Sequence, residues 1–270
     1  MERLLNSGHH HVVDADIKGY FDAIPKERLT RHVEAKISDG KVLALIGQYL
    51  AQGIQENGRE EPTGERGTPQ GAVLSPLLAN IYLDPFDHHM DKRGARLVRY
   101  ADDFVVLCAS EAEARETLEV IRAWMEANGL TLHPGKTRIV DASQRGGFDF
   151  LGWHFELGRK RPSAKAKTKF RNRVRELIPL NSGESLAQAI VKANKYLRGW
   201  FGYYQHATRG KLDEYDGYVR SRLRSLLRRR AGKNGVKRRT DNYRWPNRYF
   251  AETGLFSLMQ AQVLVCESQK

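Results

Sequence analysis

The stretch LVRYADDFVVLC, residues 97–108, decides the fold. Two short apolar runs, Leu97–Tyr100 and Phe104–Cys108, flank an Ala-Asp-Asp turn. Runs of this length on either side of a short polar turn predict a tight antiparallel β-hairpin with carboxylates at its tip. Taken alone, an Asp-Asp pair in a turn is more often a solvated surface feature than a functional one.

A second acidic stretch lies upstream of this hairpin. From Val12 to Ile17, apolar and acidic residues alternate, which predicts a strand with Asp14 and Asp16 on one face. Neighbouring strands of one sheet would bring Asp16 to the hairpin tip. Carboxylates that share a small volume repel one another unless a hard divalent cation neutralises them, and oxygen ligands favour Mg²⁺ or Mn²⁺. The two stretches together are therefore a candidate metal site.

Up to about residue 157, helical patterns alternate with short strands. The strand candidates other than those above are Thr137–Val140 and Phe148–Phe155, and residues 54–68 are expected to form a loop or hairpin. The predicted helices are Pro25–Ile37, Val42–Leu50, a helix from Ser75 that Pro85 kinks or interrupts, and a capped helix from Ser110 to Asn128. After residue 157 the periodicity is entirely helical, with a last helix from about Leu212 to Arg230.

The basic charge is concentrated in one region. Between Gly158 and Arg239 there are 24 Lys and Arg against 5 Asp and Glu, whereas the rest of the chain has 21 against 27. A solvated surface normally mixes its signs, so this field favours a polyanionic partner, with nucleic acid ahead of an anionic membrane surface. The candidate RNA-binding residues are Lys165, Lys167, Lys169, Arg171, Arg173 and Arg175 on one helix, and Arg220, Arg224 and Arg228 on the exposed face of the last helix.

Other classes of protein fit the sequence poorly. The chain has only two cysteines, Cys108 and Cys266, whose spacing indicates neither a disulfide framework nor a zinc site. No apolar run predicts a signal peptide or a membrane span. We expect a cytoplasmic protein without a membrane partner, and the sequence leaves the oligomeric state open.

Five segments resemble the palm motifs of reverse transcriptases, in the same order along the chain. They are Asp16–Asp22, Thr68–Gly71 with Leu74–Pro76, Tyr100–Asp103, Leu132–Thr137 and Phe150–Gly152. Downstream, Tyr196–Phe201 and Leu212–Arg230 are similar to the maturase-specific thumb, and Trp245–Asn247 with Gly254–Phe256 to the C-terminal segment of group II intron enzymes. The chain is thus identified by resemblance as a group II intron-encoded reverse transcriptase and maturase.

This resemblance implies an α+β fold, with an antiparallel palm sheet backed by helices and followed by an all-helical thumb. The expected domains are the palm over residues 1–157, with its fingers largely missing, the basic RNA-binding thumb or maturase domain over 158–240, and a C-terminal segment over 241–270 that packs on the body. A truncated or partial reading frame and the absence of an HNH endonuclease domain are also expected.

The resemblance also assigns roles to individual residues. Asp16, Asp102 and Asp103 are implied catalytic residues, and they hold two Mg²⁺ ions, or Mn²⁺ in their place, together with Ile17. The implied nucleotide-binding residues are Phe21, which excludes a ribose 2′-hydroxyl, Gln70 and Gly71, which line the nucleotide pocket, and Lys136, which steadies or protonates the leaving pyrophosphate. Without the motif, a core aromatic would explain Phe21 and a Pro-containing turn would explain Gln70 and Gly71.

The implied function is RNA-directed DNA polymerisation, with a maturase role in intron splicing and mobility. The partners are then group II intron RNA, an RNA template with a DNA primer, and dNTPs. The alternative is a polymerase-inactive RNA-binding splicing factor or a truncated remnant, because the fingers are expected to be missing. A reverse transcriptase of a retron, diversity-generating or defence system ranks third, because the thumb resembles that of maturases.

Overall fold

The computed structural model describes residues 1–52, 54–56, 59–61, 64–68, 73–181, 183–232 and 240–268. These residues form two compact units. The first comprises Met1–Leu151 and Glu156–Gly158, and the second comprises Gly152–Phe155 and Arg159–Lys270.

The first unit mixes helices with strands, as the sequence predicted. Its elements in chain order are α1 (Glu2–Asn6), β1 (His11–Ala15), α2 (Tyr20–Ala23), α3 (Lys26–Glu34), α4 (Gly40–Ala51), β2 (Ile54–Glu56), β3 (Arg59–Glu61), α5 (Ser75–Lys92), β4 (Arg96–Tyr100), β5 (Asp103–Cys108), α6 (Glu111–Ala127), β6 (Arg138–Asp141) and β7 (Phe148–Phe150). The short β2–β3 hairpin lies within the segment expected to be a loop or hairpin.

A four-stranded antiparallel sheet, in the order β4-β5-β1-β6, organises the first unit. The central strand β1 pairs through Val13 with Val106 on one side and with Ile139 on the other. Buried side chains from α3, α5 and α6, including Leu29, Phe86 and Ile121, pack in the same core as Val13. The prediction of an antiparallel sheet backed by helices is confirmed.

Helix α5 excludes one of the two effects predicted for Pro85, an interruption of the helix. It runs without interruption from Ser75 to Lys92 although Pro85 lies inside it. An internal proline removes one backbone hydrogen bond and costs a helix about 3 kcal/mol. The helix buries Leu83, Phe86 and Met90 around that position, and this tertiary packing stabilises it despite the proline.

The second unit contains two strands and six helices within its described residues. Its elements are β8 (Trp153–Glu156, whose last residue lies in the first unit), β9 (Arg159–Pro162), α7 (Ala164–Leu177), α8 (Leu186–Tyr204), α9 (Asp213–Arg230), α10 (Thr240–Arg244), α11 (Asn247–Glu252) and α12 (Leu258–Ser268). Strand β9 shows that the prediction of purely helical structure after residue 157 was wrong. Its backbone pairs with Thr208, since Lys160 N–H donates to Thr208 Oγ1 at 2.9 Å and Thr208 N–H donates to Lys160 O at 2.8 Å.

The core of the second unit joins α7, α8 and α9 with the C-terminal helices. Phe170, Leu197 and Leu223 are fully buried there, as are Phe250 of α11 and Leu258 of α12. Helix α9 is therefore not the last helix of the chain. The residues after it complete the same hydrophobic core.

Gly152 is the first residue of the second unit and lies next to Tyr204 of α8. Its φ of +79° is one that side-chain-bearing residues rarely adopt, and an added Cβ would lie 2.8 Å from Tyr204 Oη. We expect Gly152→Ala to lower the free energy of unfolding by about 1–3 kcal/mol, because backbone strain and overpacking add. Urea denaturation measures this, with Gly210→Ala as the matched control, since Gly210 has a φ of +81° and open space at its Cβ position. Equal losses in the two variants would contradict the steric part of this prediction.

Candidate active site

The sheet register brings the two acidic stretches together. Ala15 of β1 pairs with Phe104 of β5, so continuing the antiparallel register by one residue sets Asp16 opposite Asp103. On the other side of β5, Tyr100 pairs with Asp103 and leaves Ala101 and Asp102 as a two-residue turn. The predicted hairpin is confirmed, and Asp16 lies beside its tip.

The turn has a backbone geometry that explains how the chain reverses in two residues. Ala101 has a φ of 55°. Two-residue hairpins need such left-handed positions to match the twist of their strands, and a residue with a Cβ pays about 1–2 kcal/mol for it. The surrounding contacts must therefore stabilise the turn.

The main chain at Ile17 offers a further oxygen. Lys18 N–H donates to Thr131 O and His133 N–H donates to Asp16 O, so these bonds flank the Ile17–Leu132 bridge. In an antiparallel ladder, a residue between two such bonds directs its own carbonyl to the opposite side. The Ile17 carbonyl is accordingly directed away from Leu132, although the Ile17 side chain itself is buried.

Electrostatics show that the carboxylates influence one another. Partial desolvation in the cleft raises the pKa of Asp103 above its ordinary value, and the charges of Asp102, Asp16 and Asp14 raise it further, although Asp103 lies at the exposed end of β5. The positive charge of Lys136 lowers the pKa of Asp103. Holding this group of carboxylates ionised thus costs free energy, which a cation bound among them would offset.

Two cations line the same cleft. Lys136 Nζ lies 2.9 Å from Asp16 Oδ2, and Arg138 Nε lies 3.0 Å from Asp14 Oδ2. Burial raises the pKa of Asp14 although the bond to Arg138 lowers it. The cleft has a volume of about 420 Å³, and Asp16, Asp103 and Lys136 are among its lining residues. The structure therefore places Lys136 beside the catalytic candidates.

The donor types suit Mg²⁺, but their present spacing does not form a complete site. Among the residues that the structure describes, no three His, Cys, Asp or Glu side chains are close enough together to hold a metal ion. Asp16, which would be one ligand, is instead paired with Lys136. Carboxylate and carbonyl oxygens are nevertheless the ligands that Mg²⁺ and Mn²⁺ prefer, and the mutual repulsion around Asp103 fits a cation site.

The nucleotide-pocket candidates are only partly described. Phe21 is half-buried and, with Pro76, Tyr100 and Ala101, lines a cavity of about 900 Å³ on the hairpin's flank. Buried Thr68, the first residue of the Thr-Pro-Gln-Gly motif, donates its N–H to Phe21 O at 2.8 Å. Gln70 and Gly71 lie outside the described residues. The structure thus brings Phe21 to the hairpin and the start of the motif to Phe21.

The candidate RNA-binding residues on α7 lie at the surface of the second unit. Lys165, Lys169, Arg171, Arg173 and Arg175 are exposed, while Lys167 is half-buried and paired with Glu214. Lys165, Lys169 and Arg173 line a groove of about 860 Å³ with Tyr196 of α8. Helix α7 therefore carries an exposed group of basic side chains, although Arg173 is paired with Glu176 at 2.7 Å.

The arginines on α9 do not form the expected exposed face. Arg224 is buried and donates to Trp245 O at 2.8 Å and to Asn247 Oδ1 at 2.7 Å. Arg228 lies 2.6 Å from Asp241, and both side chains are about nine-tenths buried. The expectation that these arginines form an exposed face was wrong, because the C-terminal segment covers them.

Arg220, the third of these arginines, is also largely buried and paired with acidic residues. Its side chain is only 17% exposed and lies 3.5 Å from Asp213 and 3.9 Å from Asp216. The spacing of the three arginines every four residues was read correctly as one stripe. The C-terminal segment was expected to pack on the body, but the local pattern did not indicate that it covers this stripe.

Two further residues of the first unit form ion pairs that were not predicted from the sequence. Arg138 pairs with Asp14 inside the cleft, and Arg99 joins the hairpin to α5 through Asp87. Asp14 could have indicated the role of Arg138, because a carboxylate predicted on the same strand face as Asp16 needs a cationic partner. Arg99 interrupts an apolar strand, which was the signal that it has a specific role.

No helix in the described ranges of the chain is both long and apolar enough to span a bilayer.

Comparisons with known proteins agree with this architecture. Residues 3–155 match the family model for reverse transcriptase (RNA-dependent DNA polymerase), and residues 167–245 match the group II intron maturase-specific domain. Among solved structures, apo telomerase from Candida tropicalis has a TM-score of 0.50 at 10% identity, covering 97% of this chain and 50% of that one. This likeness concerns the fold alone.

The chain is similar in sequence to several curated proteins, including one from Escherichia coli and one from Lactococcus lactis. Protein YkfC of Escherichia coli is 29% identical over 176 residues, which cover 52% of this chain and 45% of that protein. The group II intron-encoded protein LtrA of Lactococcus lactis is 46% identical over 85 residues, which cover 32% of this chain and 13% of that protein. The matches span less than half the length of either relative.

The reverse transcriptase model covers more than half of the chain, and the maturase-specific model follows it in the order that the sequence motifs predicted. The chain therefore belongs to the reverse transcriptase family, in its group II intron-encoded form with a maturase-specific domain.

Proposed function

We propose that this chain carries the polymerase centre of an RNA-directed DNA polymerase that extends a DNA primer on an RNA template with dNTPs. The observation that supports it is the register of β1, β5 and β4, which gathers Asp16, Asp102 and Asp103 at one end of one sheet. Phe21 and Lys136 flank the same hairpin.

The cofactor that fits these residues is a pair of Mg²⁺ ions, with Mn²⁺ as a substitute. Asp16, Asp102, Asp103 and the Ile17 carbonyl would hold them, and bound ions would activate the primer 3′-hydroxyl and neutralise the departing pyrophosphate. Asp16 Oδ2 is paired with Lys136 at 2.9 Å, so a metal ion held through that oxygen would displace Lys136. Lys136 is then available to bind the pyrophosphate and to donate a proton to it.

The remaining pocket residues select the substrate. The Phe21 ring would exclude a ribose 2′-hydroxyl by steric contact, so dNTPs are preferred over NTPs. Gln70 and Gly71 would contact the incoming nucleotide or template from the segment that follows Thr68. Primer extension with each class of nucleotide, with and without Mg²⁺, tests the proposed activity. Synthesis that needs no divalent cation would refute the assignment.

A second role, binding of group II intron RNA as a maturase, is favoured by the exposed cations of α7. Lys165, Lys169 and Arg173 line a groove with Tyr196 and one acid, Glu176, and this excess of cations suits recognition of RNA shape and phosphates. Under this reading alone, the chain would promote splicing without polymerising. A splicing assay with the cognate intron, run alongside primer extension, distinguishes one function from two.

The RNA role makes a quantitative prediction for Lys165 and Lys169. Each phosphate contact contributes about 0.7–0.9 to the slope of log affinity against log salt, so Lys165→Gln with Lys169→Gln should reduce that slope by about 1.5. Filter binding or anisotropy over a range of salt concentrations measures it. Lys41→Gln, on exposed α4 of the first unit, is the control for a changed surface charge. An unchanged slope in the double variant would remove this groove from the RNA-binding surface.

A further inference from the structure

Arg99 is the second-to-last residue of β4, two positions before Ala101 of the hairpin turn, and its side chain is only 11% exposed. Its guanidinium points at α5. Nε donates to Asp87 Oδ1 at 2.7 Å and Nη2 donates to Asp87 Oδ2, so the pair is bidentate. Arginine is suited to this geometry because its planar fork matches a carboxylate, whereas a lysine ammonium makes only a point contact.

The same guanidinium also reaches the turn. Nη1 donates to the Ala101 carbonyl at 2.7 Å and to Asn80 Oδ1 at 2.9 Å. Asn80 and Asp87 are seven residues apart on α5 and therefore lie on one face of that helix, two turns apart. One side chain thus connects two points of a helix that packs in the core to the backbone carbonyl in the middle of the hairpin turn.

The turn needs such a contact. Ala101 has a φ of 55°, which costs free energy for a residue with a Cβ, and a two-residue turn leaves its carbonyls outside the strand ladder. Asp102 immediately follows that carbonyl. A rotation of the Ala101–Asp102 peptide would move the Asp102 carboxylate away from Asp16 and Asp103.

We propose that Arg99 is a positioning residue that fixes the Ala101–Asp102 turn against α5 and thereby sets the position of the Asp102 carboxylate. Arg99 acts through the backbone and does not touch the reacting atoms. Hydrogen bonding with Asp87 raises the pKa of Arg99 further above its ordinary value, so the guanidinium stays charged throughout any practical pH range. The catalytic part of this proposal rests on the proposed polymerase function, but the structural part does not.

The test compares Arg99→Lys with Arg96→Lys in the full chain. Arg96 lies on the same strand, three residues earlier, and is exposed, so it controls for the loss of a guanidinium from β4. Amide hydrogen exchange of peptides spanning residues 97–108 should be faster in Arg99→Lys than in wild type or Arg96→Lys, while exchange in α6 stays unchanged. This readout reports the turn directly and needs no polymerase activity.

Primer extension supplies the second readout. In Arg99→Lys we expect kcat to fall about tenfold or more, since misplacing a catalytic group by about 1 Å can cost up to a hundredfold. The KM for primer–template should not change, and the Mg²⁺ concentration needed for half-maximal rate should rise. A purely stabilising role would instead lower the amount of folded enzyme and leave kcat per folded molecule and the Mg²⁺ requirement unaltered.

The outcomes separate the two proposals. Wild-type exchange at residues 97–108 in Arg99→Lys would overturn the positioning role, whatever the polymerase result. Faster exchange with unaltered kcat would overturn its catalytic consequence. If wild-type protein makes no DNA at all, the proposed function fails while the exchange result still decides whether Arg99 holds the turn. Should Arg99→Lys not fold, Asn80→Ala removes one of its hydrogen bonds at lower structural cost and is expected to shift exchange in the same direction.

Discussion

Asp102→Asn is expected to lower Mg²⁺-dependent primer extension on an RNA template by about a thousandfold or more. The amide has nearly the same shape as the carboxylate but lacks the charge that holds a divalent cation, and a bound metal supplies several kcal/mol of transition-state stabilisation. A loss of about 4 kcal/mol corresponds to a factor of about a thousand in rate. Incorporation of labelled dNTP per folded enzyme measures it.

Glu116→Gln is the matched control for this experiment. Glu116 is an exposed carboxylate on α6 and is not among the residues that line the cleft, so the same change of charge should leave synthesis unaltered. Robust synthesis by Asp102→Asn would eliminate the active-site assignment. Splicing of the cognate intron by the same variant is expected to persist, because the cationic groove on α7 belongs to the second unit.

Asp216→Ala is expected to lower the free energy of unfolding of the second unit by about 4 kcal/mol. The Asp216 carboxylate is 4% exposed and accepts hydrogen bonds from Ser257 Oγ at 2.7 Å, Leu258 N at 2.9 Å and Met259 N at 3.1 Å. It therefore caps the N-terminus of α12 from a different helix, where the helix dipole favours a negative charge. Removing the carboxylate leaves these donors unsatisfied, at about 1–3 kcal/mol for each buried one.

Urea denaturation followed by tryptophan fluorescence measures this loss. Three of the four tryptophans, Trp153, Trp200 and Trp245, belong to the second unit, so the signal reports mainly on it. Asp213→Ala is the control, since Asp213 begins the same helix but its side chain is 70% exposed. If the two variants lost similar stability, Asp216 would not be acting as a buried cap.

Local patterns predicted most of the first unit. The hairpin over residues 97–108 formed as expected because both of its strands and its turn are encoded within twelve residues. Helix α6 begins at Glu111, after the N-cap Ser110, whose side chain accepts a hydrogen bond from Glu113 N. It ends at Ala127, shortly before Gly129, which adopts a φ of +72°. Capping and turn signals of this kind need no knowledge of the rest of the chain.

The parts that sequence could not predict depend on distant segments. Strand β9 has the charged sequence Arg-Lys-Arg-Pro, which gives no apolar pattern although the strand pairs with the neighbouring β8, and its further contact with Thr208 comes from a segment almost fifty residues away. Asp16 was expected beside the hairpin by analogy, yet only the register of β1 with β5 places it opposite Asp103. Its present pairing with Lys136 could not be predicted either, because it joins residues 120 positions apart.

The contacts of Arg224 and Arg228 on α9 with the C-terminal segment determine where this protein can be truncated. Arg224 and Arg228 find their acceptors at Trp245, Asn247 and Asp241, beyond the end of the basic region, and Phe250 lies under Arg224 at 5.3 Å. The expected border between a maturase domain and a tail at residue 240 is therefore no natural cutting point. A fragment ending there would present two uncompensated guanidinium groups and bare aromatic surface, so shortened versions intended for crystallisation or solution work should retain the chain through α12.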